Sequence, residues 1–164
     1  MSKRLVYFNG VFVAEKDAKV SIYDSALMFG DMVFEMTRSF NQVQFKLKDH
    51  LDRLYRGIKI LNIPVNLSIE EMEQKCLETI EINKPFFDST DEHRLLINVS
   101  RGPLGIYAPI FDNKIEPTIN LNDLDQITVF DKIEPTLTLG NNEHDIAGKN
   151  TTTEKARLPE ARDF

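Results

Sequence analysis

Arg53 is the residue of this chain best suited to chemistry, because a guanidinium one turn into a helix can hold an anion with two parallel hydrogen bonds. In the run from Phe45 to Gly57, FKLKDHLDRLYRG, helical spacing puts His50, Arg53 and Gly57 on one face. Leu51, Leu54, Ile58 and Leu61 form a separate apolar stripe. A glycine in mid-helix costs about 1 kcal/mol relative to alanine, so Gly57 is read as permitting a close approach. A phosphate suits a guanidinium beside such a bare patch. On spacing alone the commoner reading is a surface arginine paired with Asp49 or Asp52, a weak kind of pair. Other constellations are poor. His50, His93 and His144 lack metal-ligand spacing, and the single Cys76 offers nothing to zinc. Ser25 and Ser39 lack the G-x-S-x-G context of a hydrolase, and Gly102 and Gly105 form no phosphate loop. Asp123 and Asp125 are too isolated for a calcium loop.

The elements that must position Arg53 can be read from the alternation and turn residues. Two apolar runs, RLVYF and VFVAE, flank Asn9-Gly10, a dipeptide that accepts positive φ in a tight hairpin turn. Lys19 to Tyr23 is a candidate strand or edge segment. Val33 to Phe40 alternates and is answered by Val43 to Leu47 across Asn41-Gln42, giving a second hairpin. A helix over 50–61 follows, with Asp49 as N-cap and Pro64 beyond its end. The next helix starts at Ser68, with Glu71 completing a capping box and Met72, Cys76 and Ile80 as its buried stripe. Arg94 to Ser100 alternates again, with Leu95, Ile97 and Val99 pointing one way. Hairpins, two helices, then strands make an α+β fold rather than a repeated βαβ one. The expected division is 1–118 as a small α+β domain and 119–164 as an interdomain segment and the start of a second domain. From Gly140 to Phe164 large apolar groups are few, so that stretch cannot bury enough surface to order itself unaided.

Bulk properties narrow the function class. The 164 residues are enough for one domain with a real core, at 41% hydrophobic and 28% charged. A net charge of −6 with interspersed signs argues against nucleic acid or an anionic membrane as the partner. No apolar run reaches membrane-spanning length, and the N-terminus lacks the long apolar core of a secretion signal. One cysteine makes no internal disulfide and fits a reducing compartment, so a cytoplasmic location is expected.

Several stretches taken together resemble one family. GDMVFEMTRSF, then FKLKDHLDRLYRGIKILNIP, then INVSRGPLGIY look like the N-terminal domain of the class IV aminotransferases, the fold-type IV pyridoxal-phosphate enzymes. YFNG and SIYDSALMFGD fit the same pattern, and the resemblance covers roughly residues 5–110. It implies the small domain of that fold, with two hairpins and further strands packed on two helices and with most of the C-terminal domain lacking. It implies pyridoxal 5'-phosphate as cofactor, with the arginine of H-x-x-R-L, Arg53, on its phosphate. It implies a substrate-side aromatic before the glutamate of GD-x-V-[FY]-E, which is Phe34, and a substrate contact from Tyr107 in the loop after the Arg-Gly of the third motif. LGNNEHDIAGKN resembles the segment that carries the family's Schiff-base lysine. That makes Lys149 the candidate catalytic residue, which would move a proton between substrate and cofactor, with Lys155 the alternative.

The implied reaction is transfer of an amino group between an amino acid and a 2-oxo acid, in a homodimer. In the D-amino-acid enzymes of the family a basic pair grips the substrate carboxylate from the loop that reads GPLGIYAP here. Ile106 and Ala108 stand in its place, which favours branched-chain or other hydrophobic substrates. Aminodeoxychorismate lyase is a further alternative. From a different class, the rival is a non-catalytic α+β binding module or an inactive fragment of such an enzyme.

Overall fold

Asn9 and Gly10 both take positive φ (45° and 95°), and so do Asn41 and Gln42 (52° and 61°), which closes the two hairpins as two-residue turns. The first joins β1 (Leu5–Phe8) to β2 (Val11–Ala14), and the second joins β3 (Met32–Phe40) to β4 (Val43–Gln44). The structure, a computed structural model, describes residues 4–124. With β5 (Arg94–Ser100) and β6 (Thr118–Leu124) these strands make one sheet in the order β2-β1-β6-β5-β3-β4, every neighbour antiparallel. Helices α2 (Leu47–Leu61) and α3 (Ile69–Asn83) pack on one face of it, α2 against β3 and α3 against β1 and β6. The fold is α+β.

Alternation sets the core. Leu95, Ile97 and Val99 of β5 and Leu121 of β6 are fully buried against Leu51 and Leu54 of α2 and Met72 and Cys76 of α3. Burying side chains of this size contributes about 1.5–3 kcal/mol each. The capping box is present at α3: Ser68 Oγ accepts from Glu71 N (3.2 Å) and Glu71 Oε2 accepts from Ser68 N (2.7 Å). At its other end the buried Asn83 side chain accepts from Leu5 N and donates to Leu5 O, both at 2.8 Å, and so stitches α3 to β1.

Four expectations need correction. Helix α2 begins at Leu47, not 50, and its N-cap is Lys46 in the left-handed region with no side-chain cap; Asp49 lies in the first turn. The buried Leu47 therefore belongs to the helix, and β4 stops at Gln44. Lys19 to Tyr23 is not a strand. The chain there turns into a short helix, α1 (Ser25–Phe29), capped by Asp24, whose buried carboxylate accepts from Ala26 N, Ser100 Oγ and Thr118 Oγ1 (2.8, 2.7 and 2.6 Å). Finally, β6 runs across the expected boundary at 118/119 and lies between β1 and β5, so residues 119–124 belong to the sheet. The remainder of the expected interdomain segment, with Lys149 and Lys155, lies outside the described residues.

Candidate functional site

The pleat of β3 sends Val33, Glu35, Thr37 and Ser39 toward the helices and Phe34, Met36, Arg38 and Phe40 to the open face. Glu35 is thereby a carboxylate at 5% exposure, which demands partners. It finds them on α2. Arg53 Nε donates to Glu35 Oε1, and Arg53 Nη2 donates to Oε2 at 2.7 Å, the bidentate geometry that suits a guanidinium and a carboxylate. His50 Nδ1–H donates to the same Oε2 at 2.8 Å; a carboxylate only accepts, so the proton is on Nδ1. The Arg53 guanidinium holds the Glu35 carboxyl below the usual carboxylate range, against the opposing pull of burial, with His50 adding to the lowering. Glu35 in turn raises the Arg53 pKa.

Gly57 explains how α2 comes close enough. A Cβ there would lie 2.9 Å from Val33 Cγ1, so the bare patch on the helix receives β3 and not a phosphate. The face carrying His50, Arg53 and Gly57 thus exists as the spacing predicted, but it is turned to the strand. The partner of Arg53 is Glu35, not Asp49 or Asp52.

Arg53 still has something to offer. Its side chain is 64% exposed, and among the described residues its Nη1 makes no hydrogen bond. The carboxylate fixes one edge of the guanidinium and leaves the other turned outward. That edge fits an oxyanion. The strand beside it is open as well. Ser39 N donates to His93 O, which fixes the phase of the β3–β5 ladder: residues 33, 35, 37 and 39 direct their backbone groups to β5. Those of Phe34 and Met36 point the other way, where β4 no longer reaches. Phe34, 64% exposed, stands above this edge and Arg53 comes from below it. Tyr107 sits elsewhere, in a 3-10 segment (Gly105–Phe111), with its ring packed on Tyr23 at 5.0 Å. Cys76 is no nucleophile: burial pushes its thiol up to about 12.

Glu35 is the member of the site that sequence reasoning passed over. The signal was present, since the alternation that exposes Phe34 must bury its neighbour, and a buried glutamate must be paired. His93 and Asp123 were passed over together. His93 Nδ1 lies 2.8 Å from Asp123 Oδ2, with both residues buried, and Phe87 covers the ring at 4.6 Å.

Residues 32–136, more than half of the chain, match the family model described as amino-transferase class IV. The chain belongs to the class IV aminotransferases. Similar proteins include a Methanocaldococcus jannaschii protein provisionally described as a branched-chain-amino-acid aminotransferase. It is 45% identical over 102 residues, covering 62% of this chain and 34% of that protein. A D-alanine aminotransferase of Staphylococcus epidermidis is 39% identical over 67 residues, covering 41% of this chain and 24% of its own length. Among solved structures, the T.th. branched-chain amino acid aminotransferase complexed with N-(5'-phosphopyridoxyl)-L-glutamate superposes with a TM-score of 0.57 at 26% identity. The match covers 74% of this chain and 40% of that one. This class IV aminotransferase chain spans about a quarter to two fifths of the length of these relatives, and corresponds to their N-terminal region. Among its described residues, no helix is long and apolar enough to cross a membrane.

Proposed function

We propose that this chain supplies the small-domain wall of a pyridoxal-phosphate-dependent aminotransferase, with Arg53 as a ligand of the cofactor phosphate. The observation that carries this reading is the guanidinium of Arg53, held along one edge by the buried Glu35 and open along the other beside the free edge of β3. The phosphopyridoxyl adduct of glutamate named for the structural relative supports the choice of cofactor. When bound, pyridoxal phosphate withdraws electrons from the bonds around the amino-acid Cα. The protein's part is to hold and orient it and to move a proton at Cα, the role assigned here to Lys149. Phe34 lines the substrate side from the open face of β3, and Tyr107 does so from the loop after β5.

The substrates in this reading are an amino acid and a 2-oxo acid, with hydrophobic side chains favoured. Ile106, 75% exposed, offers an apolar surface in the loop where a carboxylate-gripping site would need a basic group. A cytoplasmic homodimer belongs to the same reading.

The test is addition of pyridoxal phosphate to the purified chain, reduction with borohydride, and peptide mass mapping. A single phosphopyridoxyl adduct on Lys149 that is lost in Arg53→Ala is the expected result. Adducts scattered over surface lysines, unchanged by Arg53→Ala, would remove both assignments.

A further inference from the structure

We infer that Glu35, steadied by His50, is a positioning residue for the phosphate ligand: it aims the guanidinium of Arg53 at the anion without touching the anion itself. The inference rests on the assignment of Arg53 to a phosphate and goes one step further. A carboxylate beside a phosphate site is unfavourable on charge alone, because it cancels the cation the phosphate needs. Glu35 nevertheless lies directly behind Arg53, only 5% exposed, and takes two of its hydrogen bonds. Arg53 itself is 64% exposed, and a long side chain in that setting has many rotamers unless it is anchored. Glu35 removes that freedom. It occupies Nε and one hydrogen of Nη2, which leaves Nη1 and the second Nη2 hydrogen as a fork in fixed orientation. His50 Nδ1–H, on Oε2, keeps the carboxylate from turning away. Gly57 lets the helix approach closely enough for both contacts. Binding energy is gained when the geometry is fixed beforehand rather than on binding.

Charge and positioning make opposite predictions for one substitution, which is what makes the inference testable. If Glu35 acts only as a negative charge, its neutralisation tightens phosphate binding. If it positions Arg53, neutralisation weakens it. The experiment is titration of the full chain with pyridoxine 5'-phosphate, which carries the phosphate but no aldehyde to react with lysines, and in parallel with pyridoxine. Wild type, Arg53→Ala, Glu35→Gln and Glu35→Ala are compared by calorimetry, with circular dichroism confirming the fold of each. The expected result is a phosphate-dependent preference in wild type that Arg53→Ala abolishes and Glu35→Ala weakens about tenfold, or about 1.4 kcal/mol. Glu35→Gln, which retains one acceptor oxygen, should fall between. Phosphate binding that is unchanged or tighter in Glu35→Gln, with Arg53→Ala still impaired, overturns positioning and leaves the phosphate assignment intact. Loss of phosphate preference in none of the variants, or its absence in wild type, overturns both. Should Glu35→Ala fail to fold, Glu35→Gln and His50→Ala decide the matter, with a loss expected in each.

Discussion

Two histidines among the described residues each hold a carboxylate at 2.8 Å, and the settings differ in a way that separates structure from candidate function. At the mouth of β5, His93 faces Asp123 of β6 with both residues buried and Phe87 over the ring. On the outermost long strand, His50 faces Glu35, but there a third group joins them, and that group, Arg53, is mostly in water. Both members of the first pair are buried. The second holds a cation against the sheet and turns its remaining donors outward. A buried polar cluster of the first kind specifies how strands meet; one of the second kind also presents chemistry to a ligand.

That contrast fixes an order of effects. Breaking the closed pair should cost most, because the group left behind cannot reach water. Asp123→Ala strands the ring nitrogen of His93 in the interior and is expected to lower stability by about 3 kcal/mol, measured as the shift in urea unfolding. Glu35→Gln should cost clearly less, since Arg53 and the 24%-exposed His50 can turn to solvent. Equal losses in the two variants would break the comparison.

The contact that brings α2 to β3 comes next in size. Gly57→Ala adds a methyl 2.9 Å from Val33 Cγ1, and a stiff β-branched side chain yields poorly. Overpacking of this kind costs about 1–3 kcal/mol, offset by about 1 kcal/mol of better helix propensity. A net loss of about 1 kcal/mol is expected, together with weaker protection of the Arg53 Nε–H from solvent exchange as the helix shifts outward. A stabilised variant with unchanged exchange would mean that Gly57 plays no part in seating Arg53.

Much of this arrangement is legible in the sequence, and the exceptions have physical reasons. The hairpins announce themselves because Asn-Gly and Asn-Gln tolerate the positive φ that such turns need. The capping box of α3 and the alternating Leu95, Ile97 and Val99 are local signals, complete within a few residues. Strand β6 was not legible. It carries Asn120, Asn122 and Asp123 among its seven residues, and the inward Asp123 meets His93, thirty positions away in sequence. Glu35 is the same case. Periodicity can place His50, Arg53 and Gly57 on one helix face, and strand parity can turn Glu35 inward. Only the packing of α2 on β3 makes the two faces one site.

The smallest effect, and the most specific, is on acid stability. The folded-state pKa of Glu35 lies below its ordinary value, with the hydrogen bond from Arg53 the largest cause. An unfolded glutamate titrates near about 4.3. Between that value and the lower folded one, the unfolded chain binds the extra proton and the folded chain does not, so stability rises with pH in that window. The contribution of Glu35 is therefore fully present well above about pH 4.3 and is lost as the pH falls through that value toward the folded pKa. Other carboxylates titrate in the same range, Glu92 and Glu78 with lowered pKa among them, so wild type alone shows only their sum. Glu35→Gln removes one of them and leaves the rest. Urea midpoints measured from about pH 7 to about pH 3 should fall less steeply below about pH 4.5 in Glu35→Gln than in wild type, and the two slopes should agree above about pH 6. Parallel curves throughout would mean that Glu35 gains nothing from Arg53 in the folded state, and the distinction between the two histidine sites would then rest on burial alone.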